Sequence, residues 1–425
     1  MAGVLLALVA CRRGTVEGAG GDAGSHASPI EAGPLAAAPL LVPARCHPAE
    51  GGFAVEPHDD ALEIGDAIGY PKGVAVGLVH RTTAGRVAAV ALLPADESAL
   101  RVIDLGPTLG DAPPPRLAWR GRDLIAAAFA LPSPGARAET QRELALHVLG
   151  RGGEDRPLLS ILQQRDDSLA FDVAWVDPSG GIAAWDEDTA GPTPRGVVRL
   201  AALAPDGHAS PTRDASPVDS DAEMPRVMPA GSGFFVLWLA RRPEAPATGD
   251  ASSDLEATGE ARAYSWLEMV AIDAHGAPGG AVRRLTPTSG HVSAYDVQML
   301  PGEARPTALV VARDDGEAID GSGGVLLRVR AREDGAEPPV ALPGDGLGRG
   351  APTLVDAPAP WLAWVGPHEE LRLLPLDAAG APFAPPSAEP GLEESRPLLV
   401  LRGSTMLVAR PEDAAAQLRP FACGP

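Results

Sequence analysis

The groups that could do chemistry in this sequence are few and lie far apart. EPHDD at residues 56–60 could coordinate a cation, but a polar turn before the first strand is the simpler interpretation. DDGEAIDGSGG at residues 314–324 lacks the alternating acidic ligands and the closing glutamate of a calcium loop, so it is read as a hairpin loop. Asp166 and Asp167 are adjacent acids, and adjacency in sequence is no evidence of an acid–base site.

The remaining motifs and the net charge exclude several classes of function. The sequence contains no phosphate loop, no dinucleotide fingerprint and no Gly-x-Ser-x-Gly elbow, and its nine histidines show no paired-ligand spacing. A formal charge of −21 argues against binding to a nucleic-acid backbone or to anionic lipid. We therefore assign no catalytic, cofactor-binding or metal-binding residue, and predict no cofactor. The sequence favours a protein that is not an enzyme, without excluding one.

The seven tryptophans lie mostly within apolar stretches that look like strands. Core packing is the default prediction for such residues, and a binding role at the rim of a funnel stays open for one or two of them. They are Trp119, Trp175, Trp185, Trp238, Trp266, Trp361 and Trp364.

The amino terminus, MAGVLLALVACRRG, carries a short apolar segment that ends in a cysteine. Val4–Ala10 is far shorter than the roughly 20 residues that cross a bilayer, and has the length of a signal-peptide core. LVAC at residues 8–11 resembles the lipobox of bacterial lipoproteins, although no Lys or Arg precedes it. The resemblance implies a signal peptide at residues 1–10 and a lipid on Cys11. Because Arg12 stands where an inner-membrane retention signal has aspartate, it also implies an outer-membrane anchor.

The segment after the lipobox and the other two cysteines suggest how the folded body is attached. Residues 11–45 are rich in Gly, Ala, Ser and Pro, which predicts a flexible tether before a domain at residues 46–425. With Cys11 lipidated, Cys46 and Cys423 remain, one at each end of that domain. In an exported protein such a pair predicts a disulfide, and two free or buried thiols are the alternative. The disulfide requires a fold that brings the two ends together.

From about residue 52 onward, short apolar runs alternate with Gly, Pro and Asp, which is a pattern of strands and turns. VAIDAHGAP at residues 270–278 returns as LPLDAAGAP at residues 374–382, 104 residues later. In this phrase the Asp can accept hydrogen bonds from the backbone, the Gly supplies a positive φ, and the Pro ends the segment. The repetition predicts that one hairpin recurs.

Units of about 52 residues can be laid along the whole chain. They begin near residues 60, 115, 169, 224, 290, 350 and 394, and the last lacks its outer strand. The two matching turns then belong to the fourth and sixth units. An acidic low-complexity insertion at residues 241–262 interrupts the fourth unit; it is read as a solvated surface loop, with a partner-binding arm as the alternative.

Several middle strands, such as FFVLWL in the fourth unit, are apolar on both faces and must be covered on both. A β-propeller does this, because each blade lies between two others. We predict an all-β propeller of about seven four-stranded antiparallel blades, and the units resemble the degenerate propellers of exported bacterial proteins. GGFAVE at residues 51–56 would supply the missing strand and close the ring, bringing Cys46 beside Cys423. Tandem β-sandwiches are the alternative.

Together these features predict a lipid-anchored protein of the cell envelope. Our leading hypothesis is a non-enzymatic propeller scaffold that binds a protein or glycan partner. The alternative is a propeller enzyme, a hydrolase or lyase, with its site at the axial pore; polar residues converging there with a perturbed carboxylate or histidine would favour it. A structural envelope component without a discrete ligand is the third hypothesis.

Overall fold

The structure is a computed structural model of the chain, and in it the described residues form one compact unit built from β-strands. They are residues 45–48, 53–54, 63–70, 73–83, 85–94, 101–120, 123–131, 141–149, 158–162, 170–192, 194–205, 208–242, 264–316, 324–344, 346–348, 350–355, 360–389, 398–402, 405–412 and 415–424. No helix long and apolar enough to span a bilayer occurs among them.

Six antiparallel sheets are each formed by consecutive strands of one continuous segment. The first contains β3 (Glu63–Tyr70), β4 (Gly73–Thr82), β5 (Gly85–Pro94) and β6 (Arg101–Pro107). The second contains β7 (Arg116–Arg120), β8 (Asp123–Ala130), β9 (Gln141–Leu149) and β10 (Leu158–Leu162). The third contains β11 (Phe171–Val176), β12 (Gly180–Asp188), β13 (Gly196–Leu203) and β14 (Arg213–Asp214).

The next three sheets repeat this order of strands. The fourth contains β15 (Asp221–Ala230), β16 (Gly233–Arg241), β17 (Ser265–Ile272) and β18 (Arg283–Arg284). The fifth contains β19 (Val292–Met299), β20 (Ala308–Asp314), β21 (Val325–Arg332), β22 (Gly335–Ala336) and β23 (Val340–Ala341). The sixth contains β24 (Thr353–Val355), β25 (Trp361–Val365), β26 (Leu371–Pro375) and β27 (Ser387–Glu389).

A composite sheet combines strands from both ends of the domain. It contains β1 (Arg45–Pro48), β2 (Phe53–Ala54), β28 (Leu398–Arg402), β29 (Thr405–Glu412) and β30 (Ala415–Gly424). Both amino-terminal strands pair with β30, in a register that sets Cys46 opposite Cys423 and Phe53 opposite Leu418. The predicted pairing of residues 51–56 with the last unit is thus confirmed for Phe53–Ala54, and β1 begins one residue before the predicted domain start.

The first strand of each sheet contacts the first strand of the next. These contacts join β3 to β7, β7 to β11, β11 to β15, β15 to β19, β19 to β24, β24 to β28, and β28 to β3. Sheets whose first strands contact one another in succession about a common axis make a β-propeller. The predicted all-β propeller fold is confirmed, and the tandem β-sandwiches considered as the alternative are excluded.

The hydrophobic core consists of layers between neighbouring sheets, and β16 shows how the sequence builds them. Its even-numbered residues Phe234, Val236 and Trp238 pack in the layer shared with the third sheet. Its odd-numbered residues Phe235 and Leu237 pack in the layer shared with the fifth. Because side chains alternate between the faces of a strand, an unbroken apolar run serves two layers at once.

The repeated phrase forms the same turn twice, between β17 and β18 and between β26 and β27. In the first, the carboxylate of Asp273 accepts hydrogen bonds from the backbone N–H groups of His275 and Ala277, both at 2.8 Å. In the second, Asp377 accepts them from Ala379 at 2.9 Å and Ala381 at 2.8 Å. The predicted hairpin turns of the fourth and sixth units are confirmed.

Replacing Gly380 in the second turn with alanine should lower the free energy of unfolding by about 2–4 kcal/mol. Its φ is +74°, and an added Cβ would lie 2.6 Å from the Cδ1 atom of Leu309, so strain and a clash add together. Gly302→Ala is a matched control, because Gly302 has the same φ of +74° and nothing within 4 Å of the Cβ position. It should cost about 1 kcal/mol. Equal losses in urea denaturation would contradict the clash.

Other sequence predictions can be placed on this fold. All seven tryptophans lie in strands, and five of them (Trp175, Trp185, Trp238, Trp361 and Trp364) are buried, as predicted. DDGEAIDGSGG connects β20 to β21. The acidic insertion lies between β16 and β17, although Arg241 still belongs to β16. EPHDD, Asp166, Asp167, the tether and Cys11 lie outside the described residues.

Candidate functional site

A cavity of about 410 Å³ lies on the axis where the first strands meet. It is lined by residues of six of these strands, β3, β7, β11, β15, β19 and β24, so it belongs to the ring and to no single sheet. Its volume falls within the roughly 300–1,000 Å³ typical of small-molecule sites. Most of its wall is aliphatic, and the polar side chains that interrupt this wall define the candidate site.

Two aspartates of the cavity wall join neighbouring sheets. Asp172 on β11 accepts a hydrogen bond from the N–H of Val227 on β15 at 2.8 Å, and Asp296 on β19 accepts one from Leu354 on β24 at 2.8 Å. The first strand of a sheet is an edge strand, whose outer N–H groups have no ladder partner. Each carboxylate therefore accepts a hydrogen bond from an N–H group on the edge strand of the next sheet. Its structural role is to join the two sheets.

Charges of opposite sign alternate over four successive first strands. Arg116 lies on β7, Asp172 on β11, Arg226 on β15 and Asp296 on β19. A guanidinium nitrogen of Arg226 lies 3.9 Å from a carboxylate oxygen of Asp296, and both side chains are largely buried. Two cations and two anions leave this group of side chains without net charge.

A β-bulge between Glu223 and Arg226 precedes the arginine in β15. Within it Met224 has a φ of +54°, a conformation that costs a non-glycine residue about 1–3 kcal/mol. Both neighbouring sheets hold it there: its N–H donates to Asp186 at 2.8 Å, and its carbonyl accepts from the hydroxyl of Tyr295 at 2.6 Å. The bulge thus fixes where Arg226 enters the cavity wall.

The Tyr295 phenol is buried beside this group of charges. Burial raises its pKa well above the ordinary value of 10.0; Arg226 and Arg116 lower the pKa, and Asp172 and Asp296 raise it. A pKa that is higher in the folded state than in the unfolded state means that the neutral phenol stabilises the fold fully below pH 10. This stabilisation is lost as the pH rises through the folded-state value.

Tyr295→Phe should lower the free energy of unfolding by about 1–2 kcal/mol at pH 7, because the Met224 carbonyl loses its donor. The difference from wild type should shrink above pH 10, where the wild-type protein, unlike the variant, must keep a buried phenol neutral. Urea denaturation at neutral and alkaline pH measures both effects. Tyr264→Phe keeps the buried phenol and should keep the steep alkaline loss. Parallel pH profiles for wild type and Tyr295→Phe would refute this account.

A second set of polar groups in the cavity wall has no hydrogen-bond partner among the described residues. Gln298 and Thr353 are each 4% exposed and Trp175 is 7% exposed. Both amide atoms of Gln298, the Thr353 hydroxyl and the Trp175 indole nitrogen are buried without a hydrogen-bond partner in the part of the chain that the structure describes. An unsatisfied buried polar group costs about 1–3 kcal/mol, so these groups require water or a ligand.

The chemistry available to the cavity is hydrogen bonding by charged and neutral groups. The described residues of its wall include no serine, cysteine, lysine or histidine. Its carboxylates accept hydrogen bonds from backbone groups. Within the part of the chain that the structure describes, no three His, Cys, Asp or Glu residues gather closely enough to hold a metal ion. The wall can thus offer donors, acceptors and indole rings to a ligand.

Comparison with known proteins identifies no family for this chain. No family model matches the chain, and no curated protein matches its sequence. The β-propeller domain of the Trilobed protease from Pyrococcus furiosus is similar over 85% of this chain and 94% of that chain, with a TM-score of 0.46 and 9% identity. The polysaccharide lyase Uly1 is similar over 88% and 91%, with a TM-score of 0.47 and 7% identity. Identities and TM-scores this low carry no property of these proteins over to this chain.

The sequence assigned none of these cavity residues to a site. Asp172 and Asp296 occur in the apolar runs FDVAW and AYDVQM. A carboxylate within such a core strand is the one sequence feature that could have pointed to these two residues. Gln298 follows two positions after Asp296 in the same run. Trp119 and Trp175 line the cavity, and the binding role left open for one or two tryptophans stays a prediction.

Proposed function

We propose that this chain is a non-enzymatic binding propeller whose axial cavity takes a neutral, hydroxyl-rich ligand, such as a unit of a glycan. The observation that carries the proposal is the set of unpartnered neutral groups, Gln298, Thr353 and Trp175, in the wall of a cavity of about 410 Å³. A carboxamide both donates and accepts, as a sugar hydroxyl does, so the two are complementary.

The distribution of charge supports a neutral ligand over an ionic one. The charged residues of the wall are already engaged by the protein: Asp172 and Asp296 accept hydrogen bonds from backbone N–H groups, and Arg226 lies 3.9 Å from Asp296. The indoles of Trp119 and Trp175 add apolar surface with a polar edge, which suits a ligand with both apolar and hydroxyl faces. Such an arrangement selects by shape and hydrogen bonding.

We also propose that the composite sheet is the seventh blade of a closed ring. The contact of β28 with both β24 and β3 supports closure, and so does the pairing of β1 and β2 with β30. A closed ring would hold residues of six first strands in fixed positions around the cavity. Preorganised binding groups lose less entropy when the ligand arrives.

The setting that we propose is the cell envelope, with the propeller tethered through a lipid on Cys11 to the outer membrane. The support is the lipobox-like LVAC at residues 8–11. Mass spectrometry of the mature protein should find residue 11 as a lipid-modified amino terminus, and Cys11→Ser should release the protein into the soluble fraction. An unmodified amino terminus at Met1 would refute the anchor.

Binding can be tested by titrating the purified propeller with a panel of neutral oligosaccharides, using calorimetry and tryptophan fluorescence. Gln298→Leu and Thr353→Val should each weaken binding about 5- to 10-fold, the equivalent of one hydrogen bond. Gln298→Leu should also raise the free energy of unfolding by about 1 kcal/mol, because it removes an unsatisfied buried amide. Gain of stability with loss of binding distinguishes a ligand group from a structural one.

Thr82→Val, in the β4–β5 hairpin, is the matched control and should leave binding unchanged. Saturable binding that neither cavity variant affects would place the site elsewhere and refute the proposal, as would no binding by any member of the panel. The enzyme alternative is tested on the same samples: cleavage products detected by chromatography would favour a hydrolase or lyase.

A further inference from the structure

A second cavity, of about 610 Å³, lies between the fourth and fifth sheets, away from the axis. Its walls come from the turns that follow β15, β17, β19 and β21, so both sheets contribute. Three arginines and three acids line it. We call this cavity the inter-sheet groove.

Four of these six charged groups already have partners. Arg305 and Asp334 form an ion pair at 2.6 Å on the rim. Arg332 donates from Nε to the Thr307 hydroxyl at 3.0 Å. Asp273 accepts hydrogen bonds from the backbone of its own turn. These four groups stabilise the turns through their existing contacts.

Arg283 and Glu333 differ from these four. Neither has an ion-pair or hydrogen-bond partner among the described residues, and the Nε atom of Arg283 is buried without an acceptor. Arg283 belongs to β18 of the fourth sheet, whereas Glu333 lies in the turn that follows β21 of the fifth. A free cation and a free anion thus line one groove from opposite sheets without contacting each other.

We propose that the inter-sheet groove binds a zwitterion: a free amino acid or a short peptide that carries both termini. Arg283 would bind the carboxylate, for which its planar fork of donors is suited, and Glu333 would accept hydrogen bonds from the ammonium group. Such a ligand bridges the two unpaired charges and supplies the missing acceptor of Arg283. A simple anion would satisfy Arg283 alone and would meet repulsion from Glu333.

The full-length propeller is titrated by calorimetry with alanine, Ala-Ala, acetyl-Ala-Ala and Ala-Ala-amide. We expect Ala-Ala or alanine to bind, and each blocked dipeptide to bind at least tenfold more weakly than Ala-Ala. Arg283→Gln should weaken Ala-Ala binding at least tenfold and remove the effect of amidation; Glu333→Gln should remove the effect of acetylation. Matching each variant to one blocked terminus assigns each end of the ligand to one side chain.

Arg305→Gln and Asp334→Asn change the paired charges of the rim and are the controls; we expect changes below threefold. Tighter binding of alanine than of Ala-Ala identifies a free amino acid, and the reverse identifies a peptide; both support the zwitterion site. Equal binding of blocked and unblocked dipeptides, binding that neither Arg283→Gln nor Glu333→Gln alters, or no binding of any probe would overturn the proposal. Gln298→Leu should leave this site unaffected, so its outcome is independent of the axial cavity.

Discussion

Asp296→Ala should lower the free energy of unfolding by about 3–5 kcal/mol. The side chain is 13% exposed, and its carboxylate accepts a hydrogen bond from the Leu354 N–H of the next sheet at 2.8 Å and lies 3.9 Å from the Arg226 guanidinium. Alanine leaves a buried N–H without an acceptor and removes a counter-charge from a buried cation. Urea denaturation at pH 7 gives the loss directly.

Asp296→Asn separates the two contributions, because the amide oxygen still accepts from Leu354 while the charge is gone; about 1–3 kcal/mol should be lost. Asp334→Ala is the exposed control. Its ion pair with Arg305 is shorter, at 2.6 Å, yet the two side chains are 61% and 72% exposed, so the cost should stay below about 1 kcal/mol. If Asp296→Ala and Asp334→Ala lower the free energy of unfolding by the same amount, the buried carboxylate does not stabilise the contact between the two sheets.

Cys46→Ser should lower the free energy of unfolding of the oxidised protein by about 3–5 kcal/mol. Cys46 and Cys423 are directly opposite in the β1–β30 ladder. Opposed residues of antiparallel strands have Cα atoms roughly 4.5–5.5 Å apart, which fits the separation of roughly 4.4–6.8 Å across disulfides. We expect a disulfide at this position that joins the two ends of the propeller. It stabilises the fold because a cross-link across so long a loop restricts the unfolded chain.

Three comparisons check this disulfide. Cys423→Ser should cost the same as Cys46→Ser, and the double variant no more than either, because all three remove one bond. Adding a reductant to the wild-type protein should have the same effect, whereas Cys11→Ser should leave the stability unchanged. If the unfolded, unreduced wild-type protein contains free thiols at both positions, the disulfide is absent and the prediction fails.

The sequence predicted the strands and their grouping well because the relevant forces are local. The alternation of apolar runs with Gly, Pro and Asp placed the start of the fourth unit near residue 224 and that of the fifth near residue 290, and the fourth sheet covers Asp221–Arg284. The Asp–Gly–Pro phrase predicted its turns because an aspartate that bonds the backbone two and four residues later needs no other part of the protein. Unbroken apolar runs predicted sheets covered on both faces.

The axial cavity could not be predicted in this way. Asp172 and Asp296 are 124 positions apart, and their partners Val227 and Leu354 belong to other sheets. A carboxylate in an apolar strand is compatible with a buried bridge, an ion pair or an active site until the neighbouring strand is known. The inter-sheet groove could not be predicted either, since Arg283 and Glu333 line one cavity only because two sheets pack together.

What this sequence determined by itself is every confirmed feature that depends on near neighbours: the strands, the turns and the two-faced core. What the tertiary structure decided is which polar groups found partners and which did not. Gln298 looks like any other strand residue in the sequence, and its amide is unsatisfied only because of how six first strands converge around it. Hydrogen bonds act over about 3 Å in space, and distance along the chain sets no limit on which groups they join.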